Sequence, residues 1–268
     1  MSFAGAHVLS LESRRAAEMA ELIRKQGGEP FIAPSMREAP IENNDAAFAF
    51  ADRLFAGGFD MVMLLTGVGT RQLNRLLATR YPETAFADAL GRVTLAVRGP
   101  KPAAALREMG LTAALVAPEP NTWHELLQVT EGRPERRIAV QEYGRSNPEF
   151  LEALRARGGE VTPVRVYRSG LPENAEPLRE AARRLAAGDF QAALFTTAVQ
   201  IEHLLQVAEE QGIASEALAG LGRAWIGSIG PTTTEALEEF DLHPRMSPSH
   251  PKMGILVKEA AESYGASQ

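Results

Sequence analysis

A repeat at one fixed offset constrains this chain more than any other feature. Residues 14–29 and 145–160 share Arg14/Arg145, Glu18/Glu149, Glu21/Glu152, Arg24/Arg155 and the triplet Gly27-Gly28-Glu29/Gly158-Gly159-Glu160, each pair 131 positions apart. The same 131 residues separate Ala51, Arg53, Leu54, Ala56, Gly57 and Phe59 from Ala182, Arg184, Leu185, Ala187, Gly188 and Phe190, and Thr66 from Thr197. A third block repeats Gly91-Arg92, Gly99-Pro100, Ala105-Leu106 and Leu111 as Gly222-Arg223, Gly230-Pro231, Ala236-Leu237 and Leu242. Chance identity runs on the order of one position in fifteen, so dense blocks sharing one ungapped offset mark a tandem duplication.

Within each half, short β-rich apolar runs alternate with helical stretches. The first half predicts strands over residues 6–11, 61–65, 93–97 and 113–116, with helices over 14–26, 45–56, 70–79 and 100–109. The second half predicts strands over 138–141, 192–195 and 224–228, with helices over 148–157, 176–187, 199–211 and 231–240. Gly27-Gly28 supplies a helix stop, and Pro100 and Pro231 suit a first helical turn, where a missing N–H costs nothing. Such alternation implies parallel sheets covered by helices on both faces. The expected fold class is therefore α/β: two doubly wound parallel-sheet domains built from a tandem repeat.

A chain of 268 residues, 45% hydrophobic and 23% charged, is long enough for two ordinary globular domains. Its N-terminus lacks the basic and apolar regions of an export signal, and no run approaches a membrane span, so a cytoplasmic protein without membrane association is expected. Cysteine is absent, which excludes disulfides, thiolate nucleophiles and sulfur-anchored cofactors. A formal charge of −6 argues against nucleic acid as a partner. The five histidines show no metal-ligand spacing, so no metal is expected.

Doubly wound sheets bind ligands outside the carboxyl ends of their strands, where helix N-termini offer free N–H groups. Four candidate loops lie there. Thr66-Gly67-Val68-Gly69 is matched across the repeat by Thr196-Thr197-Ala198, and Arg98-Gly99-Pro100-Lys101 by Gly230-Pro231-Thr232-Thr233. Each combines small residues, hydroxyls or a cation with a helix start, which suits carboxylate or phosphate oxygens. Helix capping alone accounts for any one of these loops; four equivalent loops point to a ligand. None carries the Gly-Lys-Thr ending of a phosphate-binding loop, so nucleotide hydrolysis is not expected. Tyr143 and Arg14 follow strands at equivalent places in the two halves and join the candidate set, against a bland reading as solvated helix-start residues.

The Thr-Gly-Val-Gly segment, the late Gly230-Pro231-Thr232-Thr233-Thr234-Glu235-Ala236-Leu237 and Val166-Tyr167-Arg168 together resemble the uroporphyrinogen-III synthase family over nearly the whole chain. The resemblance implies a lyase that closes the linear tetrapyrrole hydroxymethylbilane to uroporphyrinogen III, losing water and inverting ring D, in tetrapyrrole biosynthesis without metal or organic cofactor. It implies two domains joined by a two-stranded connector over residues 35–41 and 165–172. One domain would hold residues 1–38 and 170–268, the other 42–165. Hydroxymethylbilane carries eight carboxylates, which suits loops rich in N–H donors and hydroxyls. By the same resemblance Tyr167 is the catalytic candidate that assists departure of the hydroxyl, and Thr232 faces the substrate. Two positions depart from the family pattern: Pro102 stands where many members carry threonine, and Val68 where some carry arginine.

A monomer with a small-molecule substrate is expected. The alternative reading is a non-catalytic tetrapyrrole- or anion-sensing module of the same fold, because fold alone does not settle function.

Overall fold

A computed structural model describes residues 2–40, 44–142, 144 and 146–267. The first repeat forms β1 (His7–Ser10), α1 (Ala16–Lys25), β2 (Glu29–Ile32), β3 (Arg37–Pro40), α2 (Asp45–Phe55), β4 (Met61–Leu64), α3 (Gly67–Leu77), α4 (Ala85–Leu90), β5 (Thr94–Val97), α5 (Pro100–Glu108), β6 (Leu115–Val116) and α6 (Trp123–Val129). The second forms β7 (Arg137–Gln141), α7 (Pro148–Ala156), β8 (Glu160–Val164), β9 (Tyr167–Gly170), α8 (Glu176–Ala187), β10 (Ala192–Phe195), α9 (Val199–Glu210), α10 (Ala214–Arg223), β11 (Trp225–Ser228), α11 (Pro231–Glu238) and α12 (Met253–Ala266). The 131-residue offset carries β4 onto β10 and β5 onto β11 residue for residue, and carries the Leu115 of β6 onto Met246, which makes a lone parallel bridge to Gly227.

The strands form two parallel sheets and a two-stranded ribbon of β3 with β9. One sheet runs β11-β10-β1-β2 and the other β6-β5-β4-β7-β8. Under the repeat offset these orders are the same, with β6 as the extra edge strand. Each sheet takes strands from both repeats. The seam is β1 against β10, with Leu9 opposite Ala193, in one sheet, and β7 against β4, with Ala139 opposite Val62, in the other. The chain accordingly divides into two compact units, Met1–Arg37 with Gly170–Gln268, and Glu38–Ser169.

Both faces of each sheet are buried, so the strands read as unbroken apolar runs rather than alternating ones. In the first unit Leu9, Ala193, Phe195 and Ile226 face the core under α8 to α11, while Val8, Ala192, Leu194 and Trp225 face the core under α1 and α12. In the second, Val62, Leu64, Leu95 and Ala139 pack beneath α2 to α5, and Met61, Met63, Ile138 and Val140 beneath α6 and α7. Gly220 lets α10 lie directly on α8: a Cβ there would stand 1.8 Å from the Leu185 carbonyl oxygen.

Two sequence expectations need correction. Helix α3 starts at Gly67, not at residue 70, because extended Thr66 caps it through a bond from the Gly69 amide to Thr66 Oγ1 at 3.0 Å. The Thr-Gly-Val-Gly segment is thus a cap and first turn instead of a loop. Strand β8 ends at Val164, and the chain leaves its sheet to enter the ribbon at Tyr167. Pro163 is tolerated because β8 is an edge strand. The strand expected over 113–116 shrinks to Leu115–Val116. Among the described residues no helix is long and apolar enough to cross a membrane.

Candidate functional site

In each unit the winding reverses at the seam, and the loops leaving its two strands are the place where such sheets bind ligands. In the second unit these loops follow β4 and β7. Thr66 leaves β4 half-buried and becomes the hub of a small network. Its amide donates to Gln141 Oε1 at 3.2 Å, and its hydroxyl oxygen accepts from Gln141 Nε2 at 3.3 Å and from the Tyr167 hydroxyl at 3.3 Å. Tyr167 is 6% exposed, its ring packed in the core under α2 to α5. Its oxygen reaches the edge of that core, at the mouth of α3.

Next to Thr66, Gly67 brings two helix starts together. A Cβ at Gly67 would lie 2.5 Å from the carbonyl oxygen of Lys101, so only glycine lets the first turn of α3 abut the first turn of α5. Further along, the helices are tied by Arg71, whose guanidinium donates to both Glu108 oxygens at 2.7 and 2.6 Å. That pairing raises the Arg71 pKa and lowers that of Glu108. Pro100 occupies the first turn of α5 after Gly99, and Pro231 repeats this after Gly230 in α11. Arg98 is half-buried, its amide donating to the Leu64 carbonyl at 3.2 Å; Lys101 is exposed on the first turn of α5.

The first unit carries the equivalent loops. Thr196 and Thr197 are half-buried after β10, Ala198 is buried, and the Thr196 hydroxyl donates to Glu12 at 2.6 Å. In α11, Thr232 is half-buried and Thr233 is 3% exposed. Arg14 lies exposed ahead of α1, and Tyr143 falls outside the described residues.

The helix starts differ in charge, and this sorts them as anion receivers. The first-turn amides of a helix have no intrahelical acceptor and sit at the positive end of its dipole, so a protein carboxylate there excludes a ligand's. At α1 the place is taken: Glu12 Oε1 accepts the amides of Arg14 at 3.0 Å and Arg15 at 3.2 Å. At α7 it is taken by Glu142, 1% exposed, which accepts the Ser146 hydroxyl at 2.8 Å and the Asn147 amide at 3.2 Å and pairs with Arg165 at 3.5 Å. Helices α3, α5, α11 and α12 have no acid in the first turn, and the first three of these follow strands directly. Those three starts hold Gly67, Val68, Gly69, Gly99, Lys101, Gly230, Thr232 and Thr233. Arg14 stands instead where Glu12 already fills the helix start.

Sequence reasoning missed Glu12, Glu142, Gln141 and Gln200. Two cavities, of ≈350 and ≈860 Å³, lie elsewhere, at the amino ends of the strands of the second unit. Their walls include Met61, Ile138 and Arg136 in one and Asp60, Thr94 and Arg137 in the other. Neither touches the loops described above.

Residues 17–258 match the family model described as uroporphyrinogen-III synthase HemD. The chain belongs to the uroporphyrinogen-III synthase family. It is 28% identical over 260 residues to Uncharacterized protein YjjA of Bacillus subtilis (strain 168), covering 94% of this chain and 93% of that one. Among solved structures it is similar to a mutant uroporphyrinogen III synthase of Thermus thermophilus, at a TM-score of 0.71 and 25% identity, covering 98% of this chain and 100% of the other. The wild-type enzyme of the same organism in a second crystal form gives a TM-score of 0.56 at 27% identity, with 98% and 99% covered. The family match spans the α3, α5 and α11 starts and Tyr167, and it ties the chain to tetrapyrrole synthesis.

Proposed function

We propose that this family member is itself a uroporphyrinogen-III synthase: a carbon–oxygen lyase that closes hydroxymethylbilane with loss of water and inversion of ring D. Beside the family match, the observation that carries the reading is the distribution of acids over helix starts. Three starts at the carboxyl ends of the strands are free of first-turn acids, and two of them abut at Gly67 and Lys101. A substrate with eight carboxylates calls for several such receivers, because helix-start amides take carboxylates without a bulky counter-ion.

In this reading the second unit receives substrate carboxylates at the amides of Gly67, Val68 and Lys101, and the first unit does so at the amide of Thr232, the prolines at 100, 102 and 231 having no N–H to offer. Lys101, Arg98, Thr232 and Thr233 supply further donors. Folding the chain of pyrroles so that its ends meet removes most of the entropic barrier to ring closure. Tyr167 donates its hydroxyl proton toward the departing oxygen; the carbon–oxygen bond breaks, water leaves, and the carbon so exposed bonds to ring D at the ring carbon that already carries the chain. For ring D to end inverted, that older carbon–carbon bond breaks and re-forms at the ring's other α-carbon, whose proton is lost and restores the tyrosine hydroxyl. In the chain alone that hydroxyl donates to Thr66 Oγ1 at 3.3 Å, so it turns from Thr66 to the substrate oxygen on binding. The chain works as a cytoplasmic monomer and needs neither metal nor organic cofactor.

The test separates turnover from binding. Hydroxymethylbilane is generated in situ in large molar excess over the purified chain, with chelator present. A synthase consumes all of it at a rate proportional to protein. A binding module sequesters one equivalent at most and leaves the remainder to close spontaneously, which would refute the reading.

A further inference from the structure

The two units hold their β4–α3 and β10–α9 junctions with the same chemical group rooted on opposite sides. In the second unit the group is the Gln141 amide, 1% exposed at the end of β7. Its Oε1 accepts the Thr66 amide, and its Nε2 donates to Thr66 Oγ1 and to the Glu142 carbonyl. In the first unit it is the Gln200 amide, 1% exposed and rooted on α9. Its Oε1 accepts the amides of Thr196 at 2.7 Å and Thr197 at 3.2 Å, and its Nε2 donates to Thr196 Oγ1 at 2.9 Å. Thr66 and Thr197 are equivalent across the repeat, so the same backbone N–H is satisfied both times.

The residues that make room have traded places with those that do the holding. Gly69 is the repeat partner of Gln200, and Ser10 is the partner of Gln141. With Gln141 in this position glycine fits at 69, since a Cβ there would stand 2.0 Å from Gln141 Nε2 and 2.8 Å from Thr66 Oγ1. Ser10 is fully buried, and its hydroxyl has no hydrogen-bond partner among the described residues, as expected of a short side chain where a long one is not needed.

We infer that Gln141 and Gln200 are positioning residues performing one role from two roots: each consumes the junction's leading N–H and fixes the strand-to-helix turn, so that the next amides point outward. For the second unit this rests on the proposed reading of the α3 start as a receiver of substrate carboxylates. Gln141 touches no substrate; it acts through Thr66, Gly67 and Val68.

The test moves the clamp from one root to the other in the full-length chain. Amide exchange is followed at Thr66 in the unaltered protein, in Gln141→Ser, and in Gln141→Ser combined with Gly69→Gln. Loss of one such hydrogen bond is expected to speed exchange at Thr66 about fivefold or more in Gln141→Ser. The double variant is expected to return it to within about twofold of the unaltered chain. With hydroxymethylbilane, Gln141→Ser should raise KM about fivefold through lost binding geometry at the α3 start, and kcat should fall as well because Thr66 also meets the Tyr167 hydroxyl. If the double variant does not fold, the mirror exchange, Gln200→Gly with Ser10→Gln, is read at Thr197 instead. Equal Thr66 exchange in the unaltered and Gln141→Ser proteins, or a folded double variant left unprotected, would overturn the inference. Altered exchange with unaltered KM would keep the clamp and remove the α3 start from substrate binding.

Discussion

Tyr167 shows how much can hang on one oxygen. Its ring fills the core and its hydroxyl meets Thr66 at 3.3 Å, so replacing it with phenylalanine keeps the packing and deletes only the donor. A general-acid contribution is typically about 10²–10⁴-fold, whereas one neutral hydrogen bond adds about 1 kcal/mol to stability. Tyr167→Phe is therefore expected to lower type III formation at least about tenfold, measured at matched folded concentration. Near-normal turnover would leave Tyr167 a packing residue. Asp60 carries the clearest pH signature. It accepts the amides of Arg136 at 3.2 Å and Arg137 at 2.9 Å and pairs with the Arg137 guanidinium, which holds its carboxyl far below the usual range. Because the folded pKa is depressed, this stabilisation is present above the unfolded value of about 3.9 and fades as pH falls below it. The urea midpoint of Asp60→Asn should lie below that of the unaltered chain at pH 7, and the gap should narrow in acid. A gap that stays constant with pH would contradict the ion pair. At this scale the sequence was only partly legible. The exchange of Gly69 and Gln141 for Gln200 and Ser10 stands in the repeat alignment, but its meaning depends on β7 lying beside β4, which spacing along the chain does not reveal.

At the scale of elements, helix cores were legible and their first turns were not. Apolar spacing set α2, α5, α8 and α9 to within a residue or two, because burial on one face dominates that signal. The start of α3 was misplaced, since two glycines hid a helix that the Thr66 side chain initiates. First turns are also where the site's electrostatics reside. Thr232 lies in the acid-free first turn of α11, half-buried. Thr232→Asp should stabilise the folded chain by about 0.3–1 kcal/mol through the helix dipole while occupying the place of a substrate carboxylate. KM should rise about tenfold, the loss of a contact worth about 1.4 kcal/mol. Thr232→Asn, which adds a cap without charge, should do neither to the same degree. Thermal unfolding and steady-state kinetics on the same samples check both halves. An aspartate that leaves KM untouched would remove the α11 start from the site.

At the scale of the whole molecule, the duplication and the parallel sheets were legible from one offset and one alternation. Which strands meet was not, because β1 pairs with β10 more than 180 residues away in sequence and nothing local specifies that partner. The seam has a consequence for dissection. Fragments made by cutting at the repeat boundary, near residue 131, should each lack two or three strands of either sheet and unfold without cooperativity, whereas residues 38–169, which hold one sheet entire, should melt cooperatively. Cooperative melting of both repeat halves would contradict the pairing. The duplicated scaffold presents helix starts free of first-turn acids in each unit. The most direct measurement of what they do is the isomer composition of the uroporphyrinogen formed when the purified chain meets hydroxymethylbilane. Type III is expected in excess over the spontaneous type I background, rising with protein concentration. Product that remains type I in the presence of folded protein would contradict that expectation.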